Sequence, residues 1–323
     1  MNVMNSAAPL IEARGICKDY GSFSLAGIDL AVASGEVVGF IGKNGSGKTT
    51  TVKALLGLIG LDGGEAAVLG VPARELSRTA RGAVAKERIG VVFDGIALLD
   101  HLTVGEVGRL MRRAYTTWDQ TVYEGYLERF ELAGDPKCTV KELSRGMGMK
   151  LQLACALSHD ARLLILDEAT AGLDPMARDE VLDILRAFVD EEDPAGNPLN
   201  GILMSSHITT DLDKIADTVV CIDEGRSVFC RSKDEICDQM GIARCRERDV
   251  ETIVADENEL AGEGGANEPL RALRHKYGID VLVSDRFAFA EAFPSIPCDR
   301  MTIDDYMAFS LKGERLSKGG DVR

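Results

Sequence analysis

Residues 37–49 read VVGFIGKNGSGKT, an apolar run that leads into a glycine-rich turn. The run Val37–Ile41 predicts a strand buried on both faces, and the TTTVKALLGLIG that starts at Thr49 has helical apolar spacing. Strand, glycine-rich turn and helix in this order are the setting that a phosphate-binding loop requires. We therefore expect the turn to bind the phosphates of a nucleotide through Gly42, Lys43, Asn44, Gly45, Ser46, Gly47, Lys48, Thr49 and Thr50.

The residue types of this turn each have a physical role. Its glycines permit the backbone angles that point successive N–H groups at a phosphate, and the start of the following helix adds its positive dipole end. Lys48 supplies a mobile positive charge, which makes it a candidate catalytic residue. The hydroxyl of Thr49 is a hard oxygen that suits Mg²⁺.

A second apolar strand ends in two acids. Residues 163–168 read LLILDE, and a carboxylate at the end of a neighbouring buried strand is the other half of a triphosphate site. We expect Asp167 to hold Mg²⁺ through water. Glu168 is then the predicted general base, which polarises the attacking water beyond the terminal phosphate. Both motifs together predict hydrolysis of a nucleoside triphosphate.

Buried strands and helical patterns alternate along the first 228 residues, which predicts an α/β fold with a largely parallel sheet. Between residues 96 and 158 only helical patterns occur, so we expect a helical subdomain there. We predict one domain over residues 8–228 and a small accessory α+β domain over residues 229–323. Residues 257–269 (ENELAGEGGANEP) lack apolar periodicity and predict a flexible linker.

Composition narrows the class of protein. The formal net charge of the 323 residues is −15, which opposes binding to nucleic acid. No apolar run approaches the roughly 18 residues of a membrane-spanning helix. The eight cysteines include no CxxC pair, and we expect buried, reduced thiols in a cytoplasmic protein.

A family is indicated by Leu143–Met147, LSRGM, which opens a helix one helix length before LLILDE. It resembles the signature motif, usually LSGGQ, of ATP-binding-cassette (ABC) ATPases, a branch of the RecA-like P-loop NTPases. Ser144 and Gly146 match that motif, whereas Arg145 and Met147 depart from it. The resemblance implies that Ser144 and Gly146 bind the terminal phosphate of ATP held by a second cassette.

Three further residues stand where that family has functional ones. Asp174, in AGLD, corresponds to the dimer-contacting D-loop. His207, in SSH, occupies the position of the catalytic switch histidine. Tyr20, in KDYG, resembles the aromatic residue that stacks on adenine. The resemblance thus implies ATP and Mg²⁺ as the bound groups.

One departure concerns the metal. After the strand Ile89–Val92 the family normally has a glutamine that touches Mg²⁺, but this sequence reads VVFDG. Asp94 lies at or near that place, where its carboxylate is a candidate magnesium ligand. The alternative is that it lies outside the metal site and belongs only to the hinge.

The finer resemblance is to bacterial exporter ATPases of the ABC-2 type, which pump bacitracin-like peptides, phenol-soluble modulins and similar amphipathic molecules. It rests on residues 143–175, on SSHITTDLDKIAD and on the closing TIDDYMAFSLKGE. The resemblance implies a cytoplasmic ATP-hydrolysing subunit, held on the inner face of the membrane by separate permease subunits and paired with an identical or different second cassette. Two alternatives are a soluble ABC ATPase that acts on ribosomes or DNA, and a regulatory ABC subunit that does not hydrolyse ATP.

Overall fold

The computed structural model describes residues 8–134, 137–260 and 270–316. The chain divides into two compact units, Met1–Ser227 and Val228–Arg323. Over the residues that the structure describes, the first unit contains nine complete strands, and a tenth, β10, runs across the boundary at Ser227. These strands are β1 (Ile11–Asp19), β2 (Ser24–Val32), β3 (Val37–Ile41), β4 (Gly63–Val68), β5 (Val71–Pro72), β6 (Ile89–Val92), β7 (Leu163–Asp167), β8 (Gly201–Ser206), β9 (Thr218–Asp223) and β10 (Arg226–Ser232). The helices of the first unit are α1 (Lys48–Leu55), α2 (Ala80–Lys86), α3 (Val104–Ala114), α4 (Gln120–Arg129), α5 (Arg145–Leu157), α6 (Pro175–Val189) and α7 (Thr209–Ile215).

The central sheet has the strand order β10-β9-β3-β8-β7-β6. The pairs β3–β8, β3–β9, β7–β8 and β6–β7 are parallel. Every residue of β3, β7 and β8 is buried, as expected of strands that read as unbroken apolar runs. The predicted α/β fold with a largely parallel sheet is confirmed.

A second sheet, with the order β2-β1-β4-β5, is antiparallel. The sequence did not predict β4 and β5, because GGEAAV has too little apolar alternation to indicate a strand. Residues 63–68 form the strand β4 because they pair with β1, where Ile11 lies opposite Val68. Both of these side chains are fully buried in the core of this unit, so tertiary packing here overrides weak local preference.

The described residues between 96 and 158 form α3, α4, α5 and one short 3₁₀ turn, with a single isolated bridge from Thr103 to Thr139. Their starts carry the side-chain caps that helices need. Thr103 and Glu106 form a reciprocal capping box at α3, and Asp119 accepts two N–H groups at the start of α4. The buried hydroxyl of Tyr123 donates to the Val104 carbonyl at 2.8 Å, which ties α4 to α3.

The second unit contains an antiparallel sheet of order β14-β11-β13-β12-β15. Its elements are β11 (Gly241–Cys245), α8 (Glu247–Leu260), β12 (Arg271–His275), β13 (Gly278–Val283), α9 (Arg286–Ala292), β14 (Cys298–Arg300), α10 (Ile303–Lys312) and β15 (Glu314–Arg315). α10 starts at a capping box, in which Thr302 and Asp305 accept each other's backbone N–H groups.

The predicted linker 257–269 is wrong over its first four residues. α8 continues through Leu260, and residues 261–269 lie outside the described part of the chain. The prediction relied on polarity, but ENEL contains neither glycine nor proline and so does not interrupt a helix that is already formed.

In the described ranges, no helix is both long and apolar enough to cross a membrane.

The cysteines give the first test of this fold. None of the eight cysteines, all of which lie in the described ranges, forms a disulfide; Cys155 and Cys221 are buried and Cys230 is exposed. Burial raises the pKa of the Cys155 and Cys221 thiols to about 12, so at pH 8 only roughly one molecule in ten thousand carries the reactive thiolate. We expect a thiol reagent at pH 8 to modify Cys230 first, and Cys155 and Cys221 only after unfolding. Peptide mass spectrometry of the modified chain measures this order, and rapid native modification of Cys221 would contradict the buried position of β9.

Candidate functional site

Three parallel strands end at one edge of the central sheet and bring the predicted site residues together. In the register of β3, β8 and β7, Ile41 lies opposite Ser206, and Ser205 lies opposite Asp167. Gly42, Glu168 and His207 each follow directly after the end of one of these strands. The carboxyl edge of a parallel sheet is where α/β proteins bind their ligands.

The phosphate-binding loop depends on its glycines at specific points. Gly45 and Gly47 have φ angles of +84° and +111°, which side-chain-bearing residues rarely adopt. A Cβ atom added at Gly47 would also lie 2.5 Å from Leu25 Cδ2 and 2.9 Å from Phe23 Cζ. Only glycine therefore fits between β2 and the first turn of α1.

Lys48, the first residue of α1, is folded back over this loop. Its Nζ donates to the Gly42 carbonyl at 2.7 Å and lies 3.6 Å from Glu168 Oε1. The Lys48 side chain is only 6% exposed. A buried ammonium group with two carbonyls and one carboxylate beside it is well placed to bind a phosphate anion.

Glu168 and His207 are in direct contact. His207 Nδ1 lies 2.5 Å from Glu168 Oε2, and the His207 backbone N–H donates to the same oxygen at 3.3 Å. Glu168 has a φ angle of +57°, which is uncommon for a residue with a side chain. Backbone strain of this kind occurs where the surrounding structure holds a functional side chain in a required direction.

Asp167 is almost fully buried and only half satisfied. Its Oδ1 accepts from the Ser205 hydroxyl at 2.5 Å, whereas Oδ2 has no hydrogen-bond partner among the described residues. Buried carboxylate oxygens are normally paired or coordinate a metal. Asp167 Oδ2 and the exposed hydroxyl of Thr49 therefore fit Mg²⁺ as ligands, directly or through water.

The remaining residues of the loop differ in exposure. Lys43, Asn44, Gly45 and Thr49 are exposed and Thr50 is half-buried; Lys43 Nζ lies 3.5 Å from Asp223 Oδ2. The Ser46 hydroxyl is buried and has no hydrogen-bond partner in the part of the chain that the structure describes.

The predicted signature and D-loop residues pack against each other. Ser144 caps α5, where its hydroxyl accepts from the Met147 N–H at 3.2 Å. A Cβ atom at Gly146 would lie 3.1 Å from the Gly172 carbonyl oxygen. Asp174 caps α6, and the N–H groups of Ala177 and Met176 hold its pKa below the usual value.

The positions of two predicted binding residues, Tyr20 for adenine and Asp94 for Mg²⁺, do not test their roles. Tyr20 is 52% exposed in the turn between β1 and β2, with Lys18 Nζ 5.7 Å from its ring centre. The Asp94 carboxylate contacts the Arg145 guanidinium at 2.5 Å. Stacking of Tyr20 on adenine and ligation of Mg²⁺ by Asp94 both stay predictions.

Comparison with known proteins decides the family. A family model described as ABC transporter matches residues 25–171. The daunorubicin/doxorubicin resistance ATP-binding protein DrrA of Streptomyces peucetius is 32% identical over 259 residues, which are 79% of this chain and 76% of that protein. The Nod factor export ATP-binding protein I of Burkholderia lata is 32% identical over 291 residues, 84% of this chain and 92% of that protein. This chain belongs to the ABC transporter ATPase family.

A solved structure agrees with this membership. A structure of the ATP-binding subunit of an ABC transporter superposes on this chain with a TM-score of 0.61 at 27% identity. The superposition covers 70% of this chain and 91% of that protein. The carboxyl edge of the central sheet stays the predicted nucleotide-binding site of this ABC ATPase. The family inferred from LSRGM and its neighbouring motifs is confirmed.

Three side chains at this edge were missed by the sequence reasoning. Ser205 donates to Asp167 and accepts the Glu168 N–H at 3.3 Å. Phe23 lies against the position where a side chain at Gly47 would project, and Gln152 of α5 binds the loop after β6. Ser205 and Gln152 are polar residues inside apolar runs, and that pattern was the signal available for them.

Replacement of Ser205 by alanine tests its support of the metal ligand. Without its hydroxyl, Asp167 Oδ1 loses its hydrogen bond, so the Mg²⁺ concentration that gives half-maximal ATPase rate should rise about tenfold. The matched control is Ser158→Ala, because Ser158 is equally buried but its hydroxyl donates only to the Ala154 carbonyl. Equal Mg²⁺ dependence of the two variants would contradict the role of Ser205.

Proposed function

We propose that this cassette hydrolyses ATP to drive the export of a drug, peptide or similar amphipathic molecule through separate membrane subunits. The observation that carries the enzymatic part is the contact between Glu168 and His207 beside the buried Lys48. This arrangement provides a base, a group that orients the base, and a positive charge at one edge of the sheet. A subunit that binds ATP without turnover has no need of the oriented base.

The chemistry follows from these groups. The loop N–H groups and Lys48 Nζ bind the phosphates and hold the terminal phosphoryl group in line with the attacking water. Glu168 Oε1 accepts the proton of that water, while His207 holds Oε2 of the same carboxylate. Thr49 and Asp167 would hold Mg²⁺, which would neutralise phosphate charge.

A second cassette completes each site in this proposal. Ser144 and Gly146 stand at the amino end of α5, where the helix dipole favours an anion. Within the chain their described contacts are with Met147 and Gly148 of α5 and with Gly172 and Leu173 of the D-loop, which supports a role toward ATP bound to another copy or to a different cassette. Asp174 would then lie at the seam between the two.

The export function is proposed from the relatives. One is named for resistance to daunorubicin and doxorubicin and another for Nod factor export. We infer a related amphipathic substrate and a location on the inner face of the membrane, held by permease subunits that contact the helical segment 96–158.

The general base is tested by Glu168→Gln. An amide cannot accept the water proton, so kcat should fall by about two to four orders of magnitude, while ATP still binds through Lys48 and the loop. With ATP and Mg²⁺ the variant should accumulate as dimers, measured by light scattering after size exclusion. Glu192→Gln, on the surface after α6, is the control and should hydrolyse ATP normally. Wild-type turnover by Glu168→Gln would refute the assignment.

The transport role is tested by co-purification. A tagged Glu168→Gln chain, expressed with the membrane proteins encoded beside its gene, should be recovered with them from solubilised membranes in the presence of ATP. Recovery with ribosomes instead, and independence of those membrane proteins, would favour a soluble ABC ATPase.

A further inference from the structure

Helix α5 binds the loop of residues 93–97 through one of its faces. Arg145, Gly148 and Gln152 are spaced three and four residues apart, so they lie along a single side of the helix. Each of them contacts a different part of the same loop. The loop and the signature residues at the start of α5 are thereby linked within one chain.

Gln152 makes the central contacts. Its side chain is buried, and its Nε2 donates to the Gly95 carbonyl at 2.9 Å and to the Phe93 carbonyl at 3.4 Å. Its Oε1 accepts from the N–H groups of Phe93 at 3.4 Å and Ala97 at 3.3 Å. One amide thus satisfies four backbone groups of the loop, which holds the loop in a single conformation.

Gly148 provides the space for Ile96. A Cβ atom at Gly148 would lie 2.2 Å from Ile96 Cδ1 and 2.3 Å from Ile96 Cγ1. The isoleucine side chain therefore sits directly on the bare helix backbone, and this packing fixes the loop against the middle of α5.

Arg145 makes the third contact, at the amino end of the helix. Its Nη2 lies 2.5 Å from Asp94 Oδ1, and its Cδ lies 3.2 Å from the position of a Cβ at Gly172 in the D-loop. The side chains of Arg145 and Asp94 are 54% and 49% exposed. An ion pair as exposed as this one contributes little to the free energy of folding, so we look for its role in the orientation of the residues beside it.

The position of the loop relates these contacts to the two nucleotide sites. Residues 93–97 follow β6, which pairs in parallel with β7, so the loop leaves the same edge of the sheet as Asp167 and Glu168. It therefore belongs to the chain's own nucleotide site. Ser144 and Gly146 stand at the amino end of α5, the helix that contacts this loop. In the proposed dimer they bind the nucleotide of the second cassette.

We propose that Asp94 and Arg145 are a positioning pair, which orients the signature residues Ser144 and Gly146 according to the state of the loop beside the chain's own nucleotide. Asp94 acts through Arg145 and is not a ligand of Mg²⁺. This inference rests on the proposed function, since it requires that the signature serve a second cassette.

Charge reversal tests the pair. Asp94→Arg and Arg145→Asp each place like charges side by side, and each should lower kcat at saturating ATP about fivefold or more, a loss comparable to the upper range of one exposed pair. KM for ATP and the Mg²⁺ concentration for half-maximal rate should stay unchanged, because the phosphate loop and Asp167 are intact. The double variant Asp94→Arg/Arg145→Asp restores the pair in reverse and should recover most of the lost kcat.

A matched control exists in β1, where Arg14 and Glu12 form an exposed pair with the same 2.5 Å separation. Reversal of either residue there should leave kcat unchanged. Should a reversed variant of Asp94 or Arg145 unfold, Asp94→Asn and Arg145→Gln replace it, and their losses should then be less than additive in the double variant.

Two results would overturn the inference. A raised Mg²⁺ requirement in Asp94→Arg that Arg145→Asp does not relieve would make Asp94 a metal ligand. Full activity in both single reversals would make the pair inert. Absence of ATPase activity in the unaltered chain would instead refute the proposed function, which keeps the two failures distinct.

Discussion

The parallel register of β3, β8 and β7 is the constraint on which the rest of the cassette depends. It places Ser206 beside Ile41 and Ser205 beside Asp167, and so brings Gly42, Glu168 and His207 to one edge although they are far apart in sequence. A slip of one residue would turn every side chain of a strand to the opposite face. All three strands are buried throughout, so a slip would displace every apolar side chain from its packed position, and the packing resists it. The geometry of the site therefore depends on the packing of the core.

This site brings several charged groups into the interior together. Lys48, Asp167 and Glu168 are all buried, and burial of a charge is costly unless partners are present. Lys48 has a carbonyl and Glu168 beside it, and Glu168 also has His207. Within the described ranges, one oxygen of Asp167 has no hydrogen-bond partner. These groups are therefore placed to bind phosphates and a metal. The binding of such ligands offsets the free-energy cost of burying these charges, which folding alone does not remove.

Helix α5 connects the loop after β6, at this edge of the sheet, with the signature residues at its own amino end. Its amino end carries Ser144 and Gly146 against the D-loop, and its side face holds the loop after β6 through Gln152 and Arg145. Two of the three departures from the family pattern, Arg145 and Asp94, meet in one contact between opposite charges. In the proposal above, this contact positions the signature residues.

The sequence by itself determined the local chemistry of this protein. The order of strand, glycine-rich turn and helix around Gly47, and the acids that follow LLIL, are local patterns with a direct physical meaning, and they were enough to predict the P-loop fold and the principal site residues. Only the tertiary structure decided which distant residues meet. The strand β4 exists because β1 offers it backbone partners, Ser205 supports Asp167 because of strand register, and Arg145 binds Asp94 because α5 packs on the loop after β6. None of these contacts leaves a periodic signal along the chain, since each depends on the packing of elements that are separate in sequence.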